Sequence, residues 1–125
     1  MSTEIKCTIR HPVPDLPYKE ITKAILGPSY ELSLVICGDK LARAINIKHR
    51  QKSYKPNVLS FPYSKTEGEI FLNVPCAERE AHKYGVRLKA RMALLFIHGC
   101  FHLAGHKHGS KMEALEQKML KKYGL

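Results

Sequence analysis

The segment IHGCFHLAGHKHG carries His98, His102 and His108 at H-x3-H-x5-H spacing, and it constrains the chain more than any other stretch. Four residues are just over one helical turn, so His98 and His102 project from the same helix face. Gly105 then supplies a left-handed stop where the backbone can reverse and return His108 toward that pair. Three nitrogen ligands with no fourth protein ligand leave one tetrahedral position open, as a catalytic zinc site needs and a structural site does not. A lone histidine on an apolar face is more often a hydrogen-bonded core residue, but three at ligand spacing around a glycine turn point to a metal. His106, on the turn itself, is an alternative to His108 and is expected to be exposed or supporting. His11, His49 and His82 have no metal spacing. Zinc is the expected ion, one per chain, although three-histidine sites also accept nickel, copper or iron.

With 125 residues the chain is long enough for one hydrophobic core and short for two, so residues 1–125 are expected to form a single domain. Cys7, Cys37, Cys76 and Cys100 are widely separated with no C-x2-C pair, which argues for reduced thiols and against a zinc knuckle or disulfide framework. The start, MSTEIK, has no charged segment leading into an apolar stretch, and the longest uninterrupted apolar run is Met92–Ile97. Neither a signal peptide nor a membrane span is expected, and a cytoplasmic location follows by default. Lysine plus arginine number 21 against 11 acidic residues, a positive field that attracts polyanions, of which RNA is the expected one.

Alternation in EIKCTI suggests a first strand over 4–9, ended by the proline-punctuated HPVPDLP. Helical spacing then covers Tyr18–Leu26, and YELSLVIC (30–37) reads as a strand entering the sheet interior. Asp39 is the expected N-cap of a helix reaching about His49. VLSFPYS and GEIFLN read as two strands joined by a short link over Lys65–Gly68. Helices are expected over Ala77–Tyr84, Leu88–Leu103 and Lys111–Lys122, the second apolar enough to be central and the third a charged amphipathic tail. Strands and helices mixed early and helices grouped late predict an α+β domain with a small mixed sheet packed against helices, and a metal-binding cleft at the end of the long central helix.

The histidine positions also describe the metzincin peptidase pattern H-E-x-x-H-x-x-G-x-x-H. Those enzymes use the glutamate as general base, and this chain has Gly99 there. A zinc metallopeptidase is therefore the alternative reading rather than the first choice.

The run HGCFHLAGHKH resembles the H-G-x-x-H-L-x-G-x-D-H signature of the YbeY family, bacterial metal-dependent endoribonucleases concerned with ribosomal RNA. Asn46-x3-Arg50 followed by Asn57–Pro62 (NVLSFP) is similar to that family's N-x3-R and (D/N)VLSFP segments, and Gly68-Glu69-Ile70 is similar to its G-D-I strand. The resemblance implies zinc on His98, His102 and His108, Arg50 in a catalytic cleft, and action on ribosomal RNA and the ribosome in rRNA maturation and quality control, with a preference for single strands. Two positions depart from the pattern: Lys107 stands in place of the aspartate, and Pro56 in place of the usual threonine. A carboxylate can fix the tautomer of a ligating imidazole, which Lys107 cannot do.

Arg50 suits a phosphodiester because its planar fork pairs with phosphate through two hydrogen bonds and stays charged. Ser60 and Phe61 are expected at the cleft border, Phe61 as a stacking platform or, equally, as a plain core position of the strand, and Leu59 in the core. Lys48, Lys52, Lys55, Arg87, Lys89, Lys107 and Lys111 are candidates to track an RNA backbone, whereas Lys118, Lys121 and Lys122 read as a solvated helix face. A further alternative is a non-catalytic, metal-stabilised RNA- or ribosome-associated protein.

Overall fold

A computed structural model describes residues 2–125. Its elements are β1 (Ser2–Cys7), α1 (Tyr18–Leu26), β2 (Glu31–Cys37), α2 (Asp39–Arg50), β3 (Val58–Ser64), β4 (Glu67–Asn73), α3 (Val74–Tyr84), α4 (Leu88–Leu103) and α5 (Ser110–Lys122). The fold is α+β, with a four-stranded mixed sheet in the order β1-β2-β4-β3. β1 and β4 flank β2 in parallel, and β3 runs antiparallel to β4.

Strand side chains alternate between two faces, and here both faces of the central strands are covered. Leu32, Leu34 and Ile36 of β2, with Ile70 and Leu72 of β4, join the larger core with Met92, Phe96, Ile97 and Cys100 of α4. The opposite residues, Val35, Cys37 and Phe71, pack with Leu59, Ala42 and the α2 residues Leu41 and Ile45. Double coverage explains why ELSLVIC loses its polar alternation after Ser33. Each buried aliphatic or aromatic side chain contributes about 1.5–3 kcal/mol, so the larger core dominates stability and fixes α4.

α4 is the central helix, with Met92, Ala93, Leu95, Phe96, Ile97, Gly99, Cys100 and Phe101 buried. Tyr18 of α1 meets Phe96 edge to face, ring centroids 5.0 Å apart. Among the described residues no helix is long and apolar enough to cross a membrane.

The local chemistry differs from the sequence expectation at four places. The first strand ends at Cys7, and 12–17 carries no regular structure, because its prolines cannot donate to a ladder. β3 and β4 pair through Ser64↔Glu67, so only Lys65 and Thr66 link them. β3 lies at the sheet edge, where Pro62 is tolerated. α3 starts at Val74 rather than Ala77, because Asn73 caps it by accepting from Cys76 N–H and Pro75 suits its first turn.

Asp39 is not the N-cap of α2; Gly38 holds that place and makes no side-chain bond. The Asp39 carboxylate instead accepts from Arg79 at 2.8 and 3.0 Å and from Asn73 Nδ2 at 2.9 Å. The Arg79 hydrogen bonds hold Asp39 below the usual carboxylate range, with a smaller contribution from Asn73. Asn73, fully buried, also donates to Pro56 O at 3.0 Å. One amide thus joins α2, α3 and the loop that leads into β3.

Gly99 is the point of closest approach between α4 and β3. A Cβ there meets Ser60 Oγ at 2.9 Å, Ile70 Cδ1 at 3.1 Å and Val58 Cγ2 at 3.4 Å, and Ser60 Oγ donates to Gly99 O at 3.1 Å. Gly99→Ala gains at most about 1 kcal/mol of helix propensity. Overpacking costs about 1–3 kcal/mol, and the Ser60 bond is strained as well. The expected outcome is net destabilisation of about 1–2 kcal/mol, read from urea denaturation midpoints at unchanged m-value.

Candidate metal centre and adjoining cleft

α4 brings His98 and His102 together on one face. Their Nε2 atoms are 2.9 Å apart, and the rings meet edge to face with centroids separated by 4.4 Å. Beyond Leu103 the helix closes with two backbone bonds, His106 N–H to Phe101 O and Gly105 N–H to His102 O, with Gly105 at φ +91°. That left-handed closure is the reversal the sequence predicts. It sets His108 against His98, ring centroids 5.5 Å apart. His106 turns the other way and packs on Phe101 at 5.4 Å.

Glu116 of α5 completes the arrangement. It is 5% exposed, and its Oε2 lies 2.5 Å from His98 Nδ1. An ionised carboxylate only accepts, so this bond fixes the proton on Nδ1 and turns the Nε2 lone pair toward His102. Burial, and then the neighbouring His98, hold His102 below the ordinary imidazole range. Both effects favour the neutral form of His102, the form that binds metal.

Two of the three expected donors stand near the spacing of metal ligands. Tetrahedral nitrogen ligands at about 2.0–2.1 Å lie roughly 3.3 Å apart, near the observed spacing of the two Nε2 atoms. Among the described residues no group of three His, Cys, Asp or Glu side chains closes to metal-binding distance. His108 is the arm standing off: its side chain is 69% exposed, with Glu113 Oε1 3.9 Å from its Nε2.

Arg50 lies across the cleft from the histidines. A cavity of about 400 Å³ is lined by Arg50, Ser60, Phe61, His98 and His102, together with Asn57. Arg50 Nη1 donates to Asn46 Oδ1 at 3.2 Å and to Tyr54 Oη at 3.0 Å. Asn46 is fully buried, and its Nδ2 donates to Tyr54 O at 3.1 Å. The N-x3-R spacing therefore places one helical turn between a guanidinium and the amide that aims it. Phe61 sits between His49 and Phe71, with centroids 5.2 and 6.0 Å away, while Leu59 is buried as expected.

A family model described as Endoribonuclease YbeY matches residues 6–124. The chain belongs to the YbeY family. A Stutzerimonas stutzeri relative named Endoribonuclease YbeY is 38% identical over 107 residues, covering 75% of this chain and 67% of the relative. A Burkholderia lata relative of the same name is 33% identical over 124 residues, covering 87% and 72%. The solution structure of TM1509 from Thermotoga maritima matches with a TM-score of 0.68 over 98% of this chain and 89% of that one; at 18% identity it speaks to the fold.

In this YbeY-family chain the separate sequence blocks meet in space: N-x3-R on α2, NVLSFP on β3 and HGxxH on α4 border one cleft. Sequence reasoning missed Glu116, although a signal existed. Met112, Glu116 and Met119 lie at helical spacing on the inward stripe of α5, where a carboxylate is out of place unless something binds it. Asn46→Ala is expected to destabilise the fold by about 1–3 kcal/mol, because it strands the Tyr54 carbonyl and removes the Arg50 acceptor. Urea denaturation of the purified variant measures it.

Proposed function

We propose that this chain is a zinc-dependent, single-strand-preferring endoribonuclease that acts in ribosomal RNA maturation and ribosome quality control, with His98, His102 and His108 holding the ion. One observation carries the reading: Arg50 and the His98–His102 pair face the same cavity. Membership in a family whose named relatives are endoribonucleases supports it. Such an ion, when bound, supplies Lewis acidity toward phosphoryl oxygens and a nucleophilic water near neutral pH.

The protein's own groups provide the rest. Arg50 commits Nη1 to Asn46 and Tyr54, so its Nε–Nη2 edge is the one that pairs with a phosphate in two parallel hydrogen bonds. Anchoring by a buried amide makes that fork pre-organised, which suits stabilisation of charge developing on nonbridging oxygens. Phe61 offers a face on which an unpaired base stacks, and this favours single strands over duplex. Lys48, Lys52 and Lys55, close to Arg50 in sequence, are exposed and add to the positive field that attracts an RNA backbone.

A peptidase is disfavoured by packing as well as by composition. The position that would need a glutamate is Gly99, where even a methyl group meets β3. A purely structural metal is disfavoured by the cavity beside the pair and by a fixed arginine across it.

Two experiments test the proposal. Zinc-loaded protein is expected to cut labelled single-stranded RNA and leave casein intact, with cleavage lost to chelator. Arg50→Ala is expected to keep its zinc and lose about 10²–10³-fold in rate. Casein cleavage supports the peptidase reading, and chelator-sensitive melting without RNA cleavage supports the structural one. In the second experiment, Glu116→Ala weakens zinc binding by about 10–100-fold in a competitive chelator titration, because His98 loses the group that orients it.

A further inference from the structure

We infer that the groove between α4 and α5 is a nucleobase subsite, in which Glu113 and Gln117 read the edge of a base lying on Leu94 and Leu95. The inference rests on the nuclease reading and extends it to substrate choice.

The groove has a volume of about 460 Å³ and shares His98 and Asn57 with the Arg50 cavity. The two spaces therefore lie on either side of one imidazole, so a strand whose phosphate meets Arg50 has an adjoining nucleotide within reach of the groove. Leu94 is half-buried and Leu95 buried, giving the groove an apolar floor. A flat aromatic base gains from such a surface, and a phosphate does not.

The charges point the same way. Arg91 is committed to Glu80, with Nε and Nη2 each 2.9 Å from Oε1, and His108, which also lines the groove, stands with Nε2 3.9 Å from Glu113 Oε1. Asn57 is committed too: Nδ2 donates to both Glu80 oxygens, and Oδ1 accepts from Val58 N–H. Glu116 is bound to His98. The groups left for a ligand are the second Glu113 oxygen and the Gln117 amide, both on exposed residues. In a chain with net charge +10, the α5 side of this groove is lined by Glu113, Glu116 and Gln117 and by no cation, which favours a base edge over a phosphate there.

A carboxylate accepts hydrogen bonds and cannot donate them, so it favours a base edge carrying an exocyclic amine. Cytosine offers its N4 amino group where uracil offers a carbonyl oxygen, and acidic side chains accept from that amino group. The subsite therefore prefers cytosine to uracil. The two bases have nearly the same shape, so the difference isolates the hydrogen bond.

The test uses methyl-labelled, zinc-loaded protein titrated with cytidine and uridine monophosphates, together with cleavage of single-stranded oligonucleotides that differ only in C or U beside the cut. The cytidine nucleotide is expected to shift the Leu94 and Leu95 methyl resonances more than the uridine one, with roughly tenfold faster cleavage beside C. Glu113→Ala combined with Gln117→Ala, at exposed positions that the fold tolerates, is expected to abolish both differences. Equal shifts from the two nucleotides, no shift at Leu94 and Leu95, or an unchanged C/U preference in the double variant overturns the subsite. Base-selective shifts without cleavage of any RNA support the subsite and overturn the nuclease reading alone.

Discussion

The approach of α4 to β3 at Gly99 is the contact on which the rest of the site depends. A helix carrying a side chain there has to stand further from the sheet, and Ser60 loses its hold on the Gly99 carbonyl. His98 and His102 flank that glycine, so its depth sets how near they come to the strand segment facing Arg50. Catalytic geometry tolerates errors of only about half an ångström, and a packed helix meets that demand better than a loop. The absence of a side chain at position 99 is thus a structural requirement. It also excludes the general base that a peptidase needs.

Around His98 the molecule separates two kinds of surface. On the β3 side stands Arg50; on the α5 side stand Glu113, Glu116 and an arginine already paired with Glu80. Such a boundary suits a ligand that is itself divided into an anionic backbone and neutral, hydrogen-bonding bases. Three side-chain amides maintain it. Asn46 fixes the guanidinium on one side, Asn57 ties Glu80 on the other, and Asn73 locks the loop that runs between them.

Much of this was legible in the chain because it lies in local spacing. The four-residue histidine interval, the glycine that reverses the backbone and the N-x3-R turn all depend on helical geometry, which sequence states directly. The α+β class follows from the order of periodic segments. What escaped depends on contacts between distant segments. Glu116 looked like one more charge on a charged helix, and only the docking of α5 onto α4 reveals that it is buried against His98. Asp39 was read as a cap from its position, but a guanidinium 40 residues away competes for the same oxygens. His108 sits beside the pair as its spacing suggests, yet it stays more exposed than spacing alone conveys.

That exposure bears on Lys107, where the family pattern has an aspartate. The carboxylate that orients an imidazole here comes from α5 and acts on His98, so changing the loop residue leaves it untouched. The cost of the change then falls on His108. Ordering one exposed side chain costs up to about 2 kcal/mol, and a solvated lysine several ångströms from a dication adds roughly 1–2 kcal/mol in high dielectric. Structural zinc sites bind with about 10–16 kcal/mol, several times the sum of these penalties. A lysine at this position therefore lowers the affinity expected of the proposed site without preventing an ion from binding there.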